Sequence, residues 1–259
     1  MDITVEQIVK LNNQGLSKRE IAKELNCSKS TVERRLKKAN IQLPNRHNSL
    51  KFDNTVFDCI DTEEKAYWLG FLYADGNIGS TTNNVELSLS AHDSAHLEKY
   101  RSFLNAPNSI AYSKITVQGK QYERCRLTVT NKYFKQQLIR LGCYPRKTNL
   151  LVFNRDIFAN PDLVYPFIRG YVDGDGCISF TKTGRLNLQI ISSPTFLLGI
   201  KEIFPEFGSM VRDKRRDSCI RVIACSANKA DKVLTKLYKG STIYLERKYN
   251  RLAVLSSNW

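Results

Sequence analysis

Acidic residues are scarce beside basic ones: 25 Asp and Glu stand against 40 Lys and Arg in 259 residues, a formal net charge of +15. A field of that sign favours nucleic acid or an anionic membrane surface as partner. Long apolar runs are missing too. None approaches the ~18–20 residues of a spanning helix, so no membrane partner is expected. The opening residues MDITVEQIVK lack the apolar core of a secretory signal, which leads us to expect a location inside a cell or organelle. Seven cysteines (27, 59, 125, 143, 177, 219, 225) are odd in number and contain no Cys-x-x-Cys. They read as small, mostly buried side chains in a reducing compartment. Only three histidines occur. His92 and His96 have helical spacing but no Glu between them, which excludes a zinc-protease pair and leaves a surface or helix-start role.

What the chain does have is an internal repeat. WLGFLYADG ends at Gly76 and IRGYVDGDG ends at Gly176. Each is an apolar, helix-like run with Gly in third place, and each closes on Asp-Gly. Asp75 and Asp175 lie 100 residues apart, a spacing too long for a solenoid unit and right for a small domain.

Four segments follow from composition and periodicity: a helical module over 1–43, a polar linker over 44–61, and two repeats over 62–150 and 151–259. In the first module, apolar spacing predicts helices over 5–13, 18–26 and 30–39. Gly15 closes the first, Ser17 caps the second with Glu20 as its capping-box partner, and Ser28 caps the third. Two short helices, a tight turn and a third basic helix resemble a helix-turn-helix, with Lys29, Ser30, Thr31, Arg34 and Arg35 offered to DNA. In the linker, Arg46, His47 and Lys51 are placed either to follow a phosphate backbone or simply to be solvated.

Each repeat then reads α-β-β-α-β-β-α. In the first, helices fall at 63–75, 93–104 and 131–141, with strands at 77–80, 85–90, 110–117 and 122–130. In the second, helices fall at 165–175, 195–204 and 228–238, with strands at 177–182, 185–192, 209–212 and 219–225. Further landmarks recur in step. Ser90 and Ser192 end the second strand, Asn131 and Asn228 open the last helix, and Arg146-Lys147 matches Arg247-Lys248.

Gly in mid-helix costs about 1 kcal/mol against Ala, so Gly70 and Gly170 call for a packing reason. Two helices crossing backbone to backbone supply one. That crossing brings Asp75 and Asp175 together, with Gly76 and Gly176 as helix C-caps. Two carboxylates at negative helix ends repel each other, and Mg²⁺ is the simple remedy. Polar outer strand positions suit base edges and phosphates of a major groove. In the first repeat they are Asn77, Ser80, Asn84, Glu86, Ser88, Arg124, Arg126 and Thr128. In the second they are Ser179, Thr181, Lys182, Arg185, Asn187, Gln189, Arg212, Arg215 and Arg221.

These motifs resemble those of the LAGLIDADG homing endonucleases, in the single-chain form with two motifs, over residues 63–255. The resemblance implies an α+β fold of two pseudo-symmetric αββαββα repeats forming a DNA-binding saddle, with the helix-turn-helix added in front. It implies a site-specific double-strand DNA endonuclease that uses Mg²⁺ (with Mn²⁺ as substitute) and leaves short 3′ overhangs. The implied metal ligands are Asp75 and Asp175, assisted by the carbonyls of Ala74 and Gly174. Lys147 and Lys248 match the family's basic pocket residue, and Ser90 and Ser192 its polar pocket residue. The partner implied is a long, asymmetric duplex bound by a monomer, with intron RNA as an additional possibility. Tyr73 departs from the motif where Asp173 keeps the acid, a structural place in the family. A transcription regulator on the same fold, lacking cleavage, and an intron maturase are the alternatives. The retained aspartates speak against the first.

Overall fold

The computed structural model describes residues 3–13, 16, 18–41, 43, 52–117, 119–212 and 220–253. Expectations about Gly15, Ser17, Arg46, His47, Lys51, Arg215 and Cys219 lie outside them. The chain divides into two units, residues 1–51 and 52–259.

The first unit holds helices α1 (Val5–Asn13), α2 (Lys18–Glu24) and α3 (Lys29–Lys38). Ile8, Ile21, Ala22, Val32 and Leu36 form its small core. Ser28 starts α3 by accepting from the Thr31 amide at 3.1 Å, satisfying one of the unpaired donors of a helix start.

The second unit begins earlier than expected. Phe57 and Ile60 are fully buried, Phe52 packs edge-on against Phe134, and Ile60 bridges to Phe158. The segment from Phe52 therefore packs on the core through Phe52, Val56, Phe57 and Ile60, and the linker expected over 44–61 stops before Phe52.

The first repeat runs α4 (Glu63–Asp75), β1 (Gly76–Ile78), β2 (Asn84–Ser90), α5 (Ser94–Phe103), β3 (Ala111–Val117), β4 (Lys120–Thr130) and α6 (Lys132–Arg140). The second runs α7 (Val164–Asp175), β5 (Cys177–Phe180), β6 (Leu186–Ser192), α8 (Pro194–Ile203), β7 (Val211–Arg212), β8 (Arg221–Ser226) and α9 (Asn228–Tyr238), followed by α10 (Glu246–Ala253). The two antiparallel sheets have the same strand order, β1-β2-β4-β3 and β5-β6-β8-β7. This is the α+β, two-repeat architecture expected, with helix-turn-helix helices ahead of it. Among the described residues, no helix is long and apolar enough to cross a membrane.

Helices α4 and α7 are buried over nearly their whole circumference, from Ala66 to Tyr73 and from Pro166 to Asp173. An apolar helix of that kind belongs at the centre of a fold, and each packs against the other. A Cβ added at Gly70 would coincide with the Phe167 carbonyl, and one at Gly170 with the Tyr67 carbonyl. The two backbones meet at these glycines. Gly76 and Gly176 cap the helices, donating to Leu72 O and Val172 O. Their φ values, −66° and −74°, are open to any residue. Glycine is required there because a Cβ would lie 2.5 and 2.6 Å from those same carbonyl oxygens.

Asn131 and Asn228 open the last helices as expected, Asn131 as the cap of α6 through the Phe134 amide and Asn228 as the first residue of α9. Two local expectations change. His96 lies in the first turn of α5, as a helix-start residue, but is buried there and bonded to the Tyr67 hydroxyl instead of lying at the surface. Of the six described cysteines, Cys125, Cys143 and Cys225 are buried, while Cys59 and Cys177 are exposed.

The close approach predicts opposite signs for local and tertiary effects. Ala in place of mid-helix Gly gains about 1 kcal/mol of propensity, but overpacking loses about 1–3 kcal/mol or more. Gly70→Ala and Gly170→Ala should each lower stability in urea unfolding. Unchanged or raised stability would mean that the helices do not meet there.

Candidate active site and polar sheet faces

The helix pair carries its two carboxylates to one end. A Cβ at Gly174 would lie 3.2 Å from Asp75 Oδ2 and would strike the Ala74 methyl. Gly174 therefore leaves room for the opposite helix and its aspartate. Burial pushes the Asp75 carboxyl up to about 6, and the Asp175 charge adds to this. Lys248, Lys147 and Arg247 pull the other way. The influence of Asp175 on Asp75 expresses the expected convergence in electrostatic form.

Two lysines converge on the same end. Lys147 Nζ donates to Gly76 O, and Lys248 Nζ donates to Gly176 O at 2.6 Å. The pairing of Lys147 with Lys248 read from the sequence thus has a geometric counterpart at equivalent carbonyls. The environments differ. Lys147 is half-buried, in a short 3-10 turn. Lys248 is buried and also reaches Val172 O at 2.6 Å and Gly174 O at 3.4 Å. Burial pushes its ammonium down to about 8. Asp173, Asp75 and Asp175 oppose that shift, while Arg247 reinforces it.

Lys248 is held in place by a network the sequence did not reveal. Asp173 is fully buried and accepts from Tyr67 and Tyr238 hydroxyls at 2.8 and 2.6 Å and from the Leu245 amide at 2.8 Å. Its carboxyl is raised by burial, with these donors and Lys248 opposing. Arg169 is buried beside it, donating to Ile243 O, Leu237 O and Glu63. Residues 243–248 are thereby fixed to α4 and α7.

As a donor set, the helix end offers two carboxylates and main-chain carbonyls. Among the described residues, no group of three or more His, Cys, Asp or Glu could hold a metal. That composition suits a hard, well-hydrated cation such as Mg²⁺, and not Zn²⁺.

The sheet faces sort by register. In the first repeat Asn77, Asn84, Glu86, Ser88, Ser90, Arg124, Arg126 and Thr128 share the face opposite the core, as expected. Arg126 pairs with Glu86 at 3.5 Å, and Arg124 donates to Ser113 at 3.0 Å. Ser113 and Tyr122 lie on this face and escaped the sequence reading. In the second repeat Ser179, Asn187 and Gln189 share the outer face. Thr181, Lys182 and Arg185 lie in the exposed β5–β6 turn, because β5 ends at Phe180.

Arg212 and Arg221 depart from expectation. They pair with each other, and Arg221 pairs with Ser192, on the face that carries Ile223 and Cys225. Ser192 itself is buried and receives the Tyr171 hydroxyl at 2.9 Å. It lies on the inner face of the sheet, and the residue in register with Ser90 is Ser193, which caps α8. In the first unit Lys29, Ser30 and Arg34 are exposed on α3, Thr31 and Arg35 are half-buried, and Lys29 pairs with Glu33 at 3.1 Å.

The raised Asp75 carboxyl has a thermodynamic consequence. The folded chain binds this proton more tightly than the unfolded chain, whose carboxyl sits near 3.8. The stability it contributes is present below about pH 4 and is lost as pH rises toward and past about 6. With EDTA present, Asp75→Asn should therefore raise the unfolding free energy at pH 7.5, by up to about 2–3 kcal/mol. The gain should shrink as pH falls to 4. A gain equal at both pH values, or none, would contradict this electrostatic picture.

A family model described as a helix-turn-helix domain matches residues 5–39. No curated protein sequence matches the chain. Among solved structures, the homing endonuclease I-WcaI bound to its DNA recognition sequence is similar with a TM-score of 0.53 and 12% identity. The match covers 72% of this chain and 84% of that one. The I-LtrWI LAGLIDADG homing endonuclease bound to target DNA gives a TM-score of 0.49 at 12% identity, covering 74% and 88%. At such identities the likeness to I-WcaI speaks for the fold. The second unit has the fold of the homing endonuclease I-WcaI, and the helix-turn-helix match lies before it in the sequence.

Proposed function

We propose that this chain is a site-specific, divalent-metal-dependent DNA endonuclease that cuts both strands of a long, asymmetric target and leaves short 3′ overhangs. The observation that carries the reading is the convergence of Asp75 and Asp175 at the end of the α4–α7 pair, with Lys147 and Lys248 beside them. A purely architectural DNA-binding protein gains nothing from two mutually repelling carboxylates at one helix end, one of which, Asp75, is partly buried.

Asp75 and Asp175, with the carbonyls of Ala74 and Gly174, would hold Mg²⁺, or Mn²⁺ in its place. The bound cation supplies Lewis-acid stabilisation of the phosphoryl oxygens and a more acidic water. The chain's own residues do the rest. The aspartates orient water at the scissile phosphate, and the lysine ammoniums offset the charge that develops there. Ser90 is a candidate pocket residue on the outer face; Ser192 is not retained in that role. The outer faces of the two sheets, through Asn77, Asn84, Glu86, Ser88, Arg124, Arg126, Thr128, Ser179, Asn187 and Gln189, would read the major groove. The β5–β6 turn residues Thr181, Lys182 and Arg185 would contact phosphates. Through Lys29, Ser30, Thr31, Arg34 and Arg35, α3 would extend the target in the manner of a helix-turn-helix. The proposed working form is a monomer inside a cell or organelle, because one chain already carries both halves of the site.

Wild-type chain and the double variant Asp75→Asn, Asp175→Asn should bind the same duplex with affinities within about threefold. Only the wild type should cut it in Mg²⁺. The loss should reach at least about 10³-fold, on the scale of removing charged stabilisation of a transition state. Cutting retained by the double variant would remove the assignment.

A further inference from the structure

The two sheets share a topology but present different chemistry. Gly76 and Gly176 are equivalent helix caps, so Asn77 aligns with Cys177 and Ile78 with Ile178. Ile78 pairs with Val85 and Ile178 with Leu188. Counting along β2 and β6, Ser88 corresponds to Ile191. Ser88 pairs with Arg126, and Arg126 with Ala111. Ile191 pairs with Val222, and Val222 with Val211. A row centred on Arg126 in the first repeat is therefore replaced in the second by Ile191, Val222 and Val211. All three stand on the outer face, opposite the buried Ile190 and Ile223, and Val211 is 56% exposed. The neighbouring row changes in the same sense: Glu86 and Thr128 give way to Gln189 and Ala224. The ion pair of Arg126 with Glu86 has no counterpart among these partners.

We propose that this apolar row is a thymine-reading surface. It would pack on the 5-methyl groups that thymines project into the major groove of the half-site bound by the second repeat. The inference rests on the DNA-binding part of the reading above and not on cleavage. An aliphatic side chain cannot hydrogen-bond a base edge, and the thymine methyl is the one apolar feature the major groove displays. Cys177, the first residue of β5 after the Asp175-Gly176 cap, pairs with Gln189, which stands two positions from Ile191 on the same face, so a duplex lying over the carboxylates passes across the row. In the strongly basic chain, phosphate contacts elsewhere supply general affinity, which leaves these positions to discriminate. The first repeat, by contrast, reads by hydrogen bonding: Arg126 suits guanine, and Glu86 suits the amino group of cytosine.

Duplexes are selected from a randomised library by the full-length chain in EDTA, so that binding is read without cutting. In the best selected duplex, the thymines of each half are replaced in turn by deoxyuridine, which keeps the hydrogen-bonding edges and removes only the methyl. One half should be sensitive, losing about fourfold in affinity per methyl contacted, and the other indifferent. The sensitivity should vanish in Val222→Ser and also in the similarly sized Val222→Asn, with cooperative unfolding of both variants guarding against a folding defect. Indifference of both halves, or a uracil effect that survives in both variants, would overturn the proposal while leaving the endonuclease reading intact. Failure to select any duplex would overturn both.

Discussion

The contact between Gly70 and Phe167, and between Gly170 and Tyr67, is the constraint on which the rest depends. Helices that touch through their backbones cannot slide or rotate without colliding, because the contact is between main-chain atoms that have no rotamers to yield. That fixes the ends of α4 and α7 relative to each other. Asp75 and Asp175 then stand at one place, and each sheet leaves its helix through a capping glycine at a set angle. The site is a consequence of the packing. The same two helices that form the core of the second unit deliver its charged groups, so stability and chemistry share one element. The raised Asp75 carboxyl is the electrostatic price of that arrangement, and a divalent cation would relieve it.

Around this pair the two halves have diverged. In the second half Asp173 gathers two tyrosine hydroxyls and the Leu245 amide, and through that amide it secures the segment that carries Lys248. In the first half Tyr73 takes the place of the acid and donates instead to Leu141 O. A buried carboxylate with three donors is tolerated because every approach is satisfied. A tyrosine at the same place meets its needs with one carbonyl. The outcome is one lysine held by three carbonyls and one held by a single carbonyl. Asymmetry of the sheets, from Arg126 to Val222, matches the asymmetry of the lysines. A chain with two unlike halves suits a target with two unlike halves.

Much of this was legible in the sequence where a residue type has few reasons to be where it is. Mid-helix glycines at matching places announced the crossing, paired Asp-Gly steps announced the helix ends, and the Arg-Lys pairs announced the lysines at Gly76 O and Gly176 O. Ser28 was readable as a cap because its side chain suits that geometry. The failures share a physical cause. Period-two alternation assigns a face only when apolar and polar residues truly alternate. Ile190-Ile191-Ser192 and Arg221-Val222-Ile223 each offer two consecutive apolar residues, so either parity fits. Register with neighbouring strands settles it, turning Ser192 and Arg221 inward and Ile191 and Val222 outward. Phe52, Phe57 and Ile60 are core residues without a periodic element to reveal them, so their segment read as a tether. His96 is buried because Tyr67 reaches it across 29 positions of chain, which no local pattern encodes.

The most direct test of the account is to incubate the full-length chain and Mg²⁺ with a randomised plasmid library and to sequence the ends produced. The account predicts discrete double-strand breaks, each with a short 3′ overhang, within a long site whose two halves differ in sequence. Specific binding without breaks in either Mg²⁺ or Mn²⁺ would contradict it, and would leave Asp75 and Asp175 as a repulsive pair with no chemistry to justify it.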